Sequence, residues 1–187
     1  RPTAASRWAE RVPTWRCCCR RVTGWPTTGW RGGVGDSPTR GQRTGGLWKG
    51  ERVNPSTAQA TVMVDEFLRC GVTDAVLAPG SRSTPLALAL AAAEERGEIT
   101  LHVRLDERSA GYLAIGLAKV TGLPLIVVTT SGTAAVNLHP AVVEADLSAI
   151  PFIAVTADRP PQLRGVGANQ TIRQAGTFGG DVRLAVD

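Results

Sequence analysis

The chain has only two His and four Cys among 187 residues, and three of the Cys stand side by side as Cys17-Cys18-Cys19. Three adjacent Cys cannot all turn onto one ion, and no His or spaced Cys pair joins them, so a zinc-type site or a disulfide framework has no support. Long apolar runs are missing as well. No stretch approaches transmembrane length and none forms the apolar centre of a secretory signal, which argues against export and against a membrane span. Neither a Walker A pattern nor a complete Gly-x-Gly-x-x-Gly fingerprint follows a strand-like run. Binding of nucleoside triphosphates or dinucleotides is therefore without positive support.

Acidic residues are scarce at the amino end. Residues 1–52 hold 3 Asp and Glu against 11 Lys and Arg, net +8, whereas residues 53–187 hold 13 against 10, net −3. The overall +5 thus belongs to the leader, and no basic face for nucleic acid or an anionic membrane is expected of the remainder. All five Trp (Trp8, Trp15, Trp25, Trp30, Trp48) also fall in the leader. Its Arg, Gly, Pro and Thr recur without helical or alternating period, so it cannot bury enough surface to offset its ordering entropy and is expected to be disordered. Two origins fit. One is translated upstream sequence, with Val53 the residue that a GTG start codon spells when read internally; GC-rich codons yield Arg, Gly, Pro and Trp by chance. The other is a basic arm in which Trp15-Arg16 and Trp30-Arg31 grip RNA or DNA.

From Val53 onward the pattern is orderly. Ser56 or Thr57 is placed to cap a helix in which Ala58, Val62, Met63, Phe67 and Leu68 recur at helical spacing and which Gly71 ends. Strand-like runs at 74–78, 99–104, 124–129 and 151–156 then alternate with helix-like runs at 84–95, 108–120 and 133–145. Alternation of this length predicts parallel strands joined by right-handed crossovers, an α/β fold with an open parallel sheet flanked by helices.

Such sheets bind ligands outside the carboxyl ends of their strands. Four loops qualify: 79–83, 105–109, 130–133 and 157–161. In the first, the Gly80 and Ser81 amides at a helix start and the Arg82 guanidinium suit a carboxylate or phosphate. A plain turn with a solvated Arg is the alternative. Residues 129–133 are a second amide-rich helix start. Glu107 stands where a strand gives way to a helix, a position that can hold a catalytic acid. It equally suits an acid that merely favours the first helical turn, with Asp106 beside it as N-cap.

Six ordered motifs bear on that choice: Leu77-Ala78-Pro79-Gly80-Ser81-Arg82-Ser83, Asp106-Glu107-Arg108-Ser109-Ala110-Gly111, Thr129-Thr130-Ser131-Gly132-Thr133, Asn137-Leu138-His139-Pro140-Ala141-Val142-Val143-Glu144-Ala145, Asp158-Arg159-Pro160-Pro161 and Gly167-Ala168-Asn169-Gln170. Together, over residues 54–187, they resemble the 2-succinyl-5-enolpyruvyl-6-hydroxy-3-cyclohexene-1-carboxylate synthases, thiamine-diphosphate enzymes of menaquinone biosynthesis. The resemblance implies that residues 53–187 form the amino-terminal pyrimidine-binding domain of such an enzyme, in its thiamine-diphosphate-binding fold and truncated at its carboxy end. It places Glu107 on the family's catalytic glutamate. That carboxyl bonds N1′ of the cofactor's aminopyrimidine and favours the imino tautomer, whose nitrogen takes the thiazolium C2 proton. Asp would fall a methylene short, and Gln could not share the proton.

The same resemblance places Ser81, Arg82, Arg159, Asn169 and Gln170 in the substrate pocket. The family decarboxylates 2-oxoglutarate on the cofactor and adds the four-carbon unit to isochorismate; both acids are anionic, and Arg forks suit carboxylates. Asp158 is expected to fix its loop rather than touch substrate. His139, before Pro140, is expected to be structural, His102 to be a packed or rim side chain, and Cys70 to belong to the core. Thiamine diphosphate and Mg²⁺ are implied as cofactors, with diphosphate and metal held by a carboxy-terminal domain whose Gly-Asp-Gly motif this sequence does not contain. The family's cofactor lies between two subunits, which implies a homo-oligomer, at least a dimer, located in the cytoplasm. No nucleic-acid or membrane partner is expected. The isolated chain is then an inactive fragment holding half an active site. The alternative is a non-catalytic pairing or binding module derived from a thiamine-diphosphate enzyme, with the leader as an arm.

Overall fold

The computed structural model describes residues 54–187; the expectations for the leader, its Cys run and its Trp-Arg pairs lie outside the described residues. Helix α1 (Pro55–Arg69) is capped by Asn54, whose side-chain oxygen accepts the Ser56 amide at 2.9 Å. The cap thus lies upstream of the expected Ser56 or Thr57. Pro55 explains the shift, since its preset φ suits the first helical position and it has no amide to leave unsatisfied there. Gly71 follows the helix end as expected, its amide donating to the Leu68 carbonyl at 2.9 Å.

Strand β1 (Asp74–Leu77), helix α2 (Thr84–Glu95), strand β2 (Thr100–Val103), helix α3 (Glu107–Thr121) and strand β3 (Leu125–Thr129) come next. The single helix expected over 133–145 is instead two, α4 (Thr133–Val136) and α5 (His139–Leu147), before β4 (Phe152–Thr156). Pro140 is the reason: it has no amide to give the Val136 carbonyl and its ring crowds that carbonyl. The chain restarts its helix with Leu138 as N-cap and Pro140 in the first turn, where proline is tolerated.

All strand pairs are parallel, in the order β2-β1-β3-β4. The fold is therefore the expected α/β one, an open parallel sheet with helices on both faces. Alternation along the strands sorts the two faces. Ala75, Leu77, Ile126 and Val128 pack against Val64 of α1 and Leu90 of α2. Val76, Leu125 and Val127 meet Ala110, Ala114 and Ala118 of α3, together with Leu138 and Val142. Central β3 is buried at all five positions, while edge strand β2 exposes Thr100 and Val103. Leu90, Leu138 and Ile126 are almost completely buried, each contributing about 1.5–3 kcal/mol by leaving water.

This strand order positions the site. From β1 the chain steps to β2 on one side, then crosses to β3 and β4 on the other, so the connections diverge between β1 and β3. A crevice at the carboxyl ends of such a pair is where open α/β sheets bind ligands. After β4, residues 157–187 form no further strand; their two 3₁₀ turns are Pro161–Leu163 and Gly179–Asp181. The segment turns back over the ends of β3 and β4 and along α5. His139 pins it there: Nε2 lies 2.9 Å from Asp181 Oδ2, and the ring meets Phe178 edge-on at 5.7 Å. Arg183 adds an ion pair to Asp146 at 2.8 Å.

Candidate functional site

A cleft of about 400 Å³ opens at the divergence between β1 and β3, lined by Gly80, Ser81 and Arg82 after β1, Thr130 after β3, and Arg159, Asn169 and Gln170 after β4. The five residues Ser81, Arg82, Arg159, Asn169 and Gln170, drawn from three separate motifs, thus share one cavity. Thr130 was not singled out from sequence beyond its place in an amide-rich loop. Two guanidiniums and two carboxamides make the wall polar and positively charged, suited to an anionic ligand with oxygens to orient.

The residues are held differently. Arg82 is exposed and its guanidinium has no hydrogen bond or ion pair to any described residue. It is open to a ligand. Arg159 instead directs Nε and Nη2 onto the Asn169 carbonyl at 3.2 and 2.8 Å, leaving Nη1 without a described partner. Asp158 accepts the Arg159 amide at 2.6 Å and pairs with Arg164 at 3.1 Å, and Arg164 Nε donates to the Arg159 carbonyl at 2.8 Å. Asp158 therefore secures the loop, as its type and position suggest.

Gln170 has a left-handed backbone, φ 56°, a conformation that costs free energy for a residue with a side chain. It is held by its own Nε2, which donates to the Ser131 carbonyl at 2.9 Å, and by Ser131 Oγ, which donates to the Gln170 carbonyl at 3.3 Å. Gly132 meets it closely: at φ +80° a Cβ would stand 2.9 Å from the Gln170 carbonyl oxygen. Only glycine fits both that backbone and that space.

The expected cradle at Gly80 and Ser81 is not the first turn of an α-helix. A 3₁₀ turn, Ser81–Ser83, intervenes before α2, because buried Ser83 folds back with both its amide and its hydroxyl on the Gly80 carbonyl, at 3.1 and 3.0 Å. The Gly80 and Ser81 amides therefore belong to a tight turn leading into the helix.

Glu107 does not line this cleft. It is the first residue of α3, at the carboxyl end of β2, one strand further along the same rim. Capping is done by Asp106, whose Oδ1 accepts the Ser109 amide at 2.7 Å and the Ser109 hydroxyl at 2.6 Å. Those two bonds, the hydroxyl's first, with Arg108 nearby, hold the Asp106 carboxyl below the usual aspartate range. Half-buried Glu107 makes no hydrogen bond or ion pair to a described residue. The helix start fixes its backbone, while its carboxyl group is unused by the fold.

His102 pairs with Asp74 across β2 and β1 at 3.0 Å, and Cys70 is half-buried at the end of α1. Among the described residues, no three or more His, Cys, Asp or Glu are grouped to hold a metal ion, and no helix is long and apolar enough to cross a membrane.

The parallel sheet flanked by helices is consistent with a family match over residues 58–177, described as "Thiamine pyrophosphate enzyme, N-terminal TPP binding domain". The chain belongs to this family of thiamine-dependent enzymes. Within it, the chain is similar to 2-succinyl-5-enolpyruvyl-6-hydroxy-3-cyclohexene-1-carboxylate synthases. That of Saccharopolyspora erythraea is 62% identical over 132 residues, covering 71% of this chain and 24% of the relative. That of Thermobifida fusca is 61% identical over 132 residues, covering 71% and 23%, and that of Mycobacterium avium 60% over 134, covering 72% and 25%. The chain spans about a quarter of the length of the curated relatives it matches.

Proposed function

We propose that residues 53–187 are the pyrimidine-binding part of a synthase of menaquinone biosynthesis that decarboxylates 2-oxoglutarate and adds the resulting four-carbon unit to isochorismate. The observation that carries this reading is the convergence of Ser81, Arg82, Arg159, Asn169 and Gln170 on one cleft at the β1–β3 divergence. Identities near 60% to synthases of that name support the choice of substrates.

The residues fit the pyrimidine half of thiamine diphosphate, because an acid for the ring nitrogen must be free of other partners, and Glu107, at the first position of α3, makes no bond to a described residue. When bound, the cofactor supplies an electron sink for loss of CO₂ from a 2-oxo acid. Glu107 would hold a shared proton between its carboxyl oxygen and the ring nitrogen N1′. Arg82 would bind a substrate carboxylate, Arg159 would add Nη1 while keeping Asn169 in place, and Asn169 and Gln170 would orient oxygens of the bound acids. We further assign Mg²⁺ and the diphosphate to a carboxy-terminal domain of the complete synthase, as the resemblance implies. We also assign the enzyme to the cytoplasm as a homo-oligomer of at least two subunits.

The test uses the full-length synthase carrying this sequence as its amino-terminal domain. With thiamine diphosphate, Mg²⁺ and both acids, CO₂ and the coupled product should appear in equal amounts. Release of CO₂ with no coupling to isochorismate, or no reaction, would refute the proposed substrates.

A further inference from the structure

Gln174 belongs to none of the six motifs and does not line the cleft, yet its side-chain amide is bonded at both ends. Oε1 accepts the Gly132 amide at 2.9 Å, while Nε2 donates to the Ala157 carbonyl at 2.8 Å and to Thr156 Oγ1 at 3.1 Å. One side chain thereby joins the carboxyl ends of β3 and β4. Its main chain is fixed from the other direction, since the Thr177 hydroxyl and amide both reach the Gln174 carbonyl, at 2.6 and 3.1 Å. The turn beyond is tied to α5 by the His139–Asp181 contact.

Between Arg159 and Gln174 runs the stretch that brings Asn169 and Gln170 into the cleft. A left-handed Gln170 persists only if its surroundings over-determine it. Its direct bonds to Ser131 are two, one of them long at 3.3 Å, and the next residue, Gly132, is the one that Gln174 grips. Gly132 also lies against the Gln170 carbonyl. Fixing Gly132 therefore fixes the surface on which Gln170 rests.

We propose that Gln174 is a positioning residue, locking Gly132 and residues 169–171 in the arrangement that presents Asn169 and Gln170 to an anionic substrate in the cleft. The substrate part rests on the function proposed above; the positioning part does not.

Two variants test it. In the full chain, Gln174→Ala should speed hydrogen exchange of the Gly132 amide by about tenfold or more, the loss expected when a buried amide loses its partner, and should shift the Gln170 side-chain amide resonances as Nε2 loosens from the Ser131 carbonyl. Ile126 and Val127 in β3 should keep wild-type protection. Gln174→Glu can still accept from Gly132, but its carboxylate cannot donate to Ala157 or Thr156. Protonation restores one donor, so protection relative to wild type at the same pH should recover as the solution is acidified through the glutamate range. In the full-length synthase, Gln174→Glu at neutral pH should raise KM for the anionic acceptor about tenfold while C2 proton exchange of bound thiamine diphosphate stays at the wild-type rate.

Unchanged exchange at the Gly132 amide with unshifted Gln170 side-chain amide resonances in both variants overturns the proposal, as does equal loss of protection at Ile126 and Val127. An unchanged KM overturns its substrate part. If Gln174→Ala does not fold, the acid recovery of Gln174→Glu decides. Absence of turnover by the wild-type synthase would count against the proposed function alone, leaving the exchange data to judge Gln174.

Discussion

Gly80 lies so close to Thr130 that a Cβ built on it would stand 2.4 Å from the Thr130 Cβ. Both residues line the cleft where the loops after β1 and β3 meet, and their contact leaves no room for even a methyl group.

Gly80→Ala is therefore expected to push the two loops apart and to cost about 1–3 kcal/mol, the usual penalty of overpacking. Pairing it with Thr130→Gly, which removes the opposing Cβ, should recover part of that loss. Denaturant unfolding of the two single variants and the double variant measures the coupling, expected at about 0.5–3 kcal/mol for residues in contact. Strict additivity would mean that the loops relax without touching.

Glu107→Gln separates the two roles open to that residue. An acid acting on the aminopyrimidine predicts that thiamine diphosphate still binds in the full-length synthase while C2 proton exchange slows by on the order of 10²- to 10⁴-fold. Folding stability should hardly change, because Asp106 provides the cap and Glu107 has no described partner. A helix-terminus acid predicts the reverse: wild-type exchange and a stability loss of about 0.3–1 kcal/mol.

Arg82 and Arg159 should respond differently to truncation. In the proposed full-length synthase, Arg82→Ala removes a guanidinium that the fold does not use, so KM for the proposed anionic substrates should rise about 10- to 100-fold with amide protection unchanged. Arg159→Ala should raise KM and also loosen residues 159–169, since two of its N–H groups hold the Asn169 carbonyl. Arg159→Lys should not rescue it, because an ammonium lacks the planar fork. Neither Arg variant should alter C2 exchange. Protection across 159–169 that survives Arg159→Ala would show that Asp158 and Arg164 suffice.

The α3 cap carries a pH dependence whose sign follows from Asp106. Its carboxyl is held below the ordinary value by the Ser109 hydroxyl and amide, so its contribution is complete above the unfolded aspartate pKa of about 3.9. That contribution is lost as the pH falls through the lowered folded-state value. Protection of the Ser109 amide should therefore fade on acidification in the wild type. In Asp106→Ala it should be low at every pH. A Ser109 amide protected equally in both proteins would show that the cap contributes nothing.

Much of the fold is legible along the chain. The alternation of apolar runs from Asp74 to Thr156 indicates an open parallel sheet, because period and length are local properties. Asp106 as N-cap and Gly71 as helix stop are local too, each set by residues a few positions away. The break in the helix at Pro140 follows from an equally local rule, the missing amide and crowded carbonyl, which an Ala- and Val-rich run masks. The motifs around Arg82, Arg159 and Gln170 are legible by resemblance, each within its own short stretch.

What each of those side chains touches is a tertiary matter. The order β2-β1-β3-β4 sets β1 beside β3, and only that neighbourhood brings Gly80 against Thr130 and opens a cleft above them. The fork of Arg159 on Asn169, the left-handed Gln170 on Ser131 and the bridge from Gln174 to Gly132, Thr156 and Ala157 all depend on where the segment after β4 comes to rest. No local period encodes such contacts. Sequence by itself determined which segments become strands and helices and which loops carry polar groups, because those follow from steric and capping rules within a few residues. The packing of the sheet and its returning segment decided which of those groups are free for a ligand and which hold the site together, because only closure of the chain brings them within hydrogen-bonding reach.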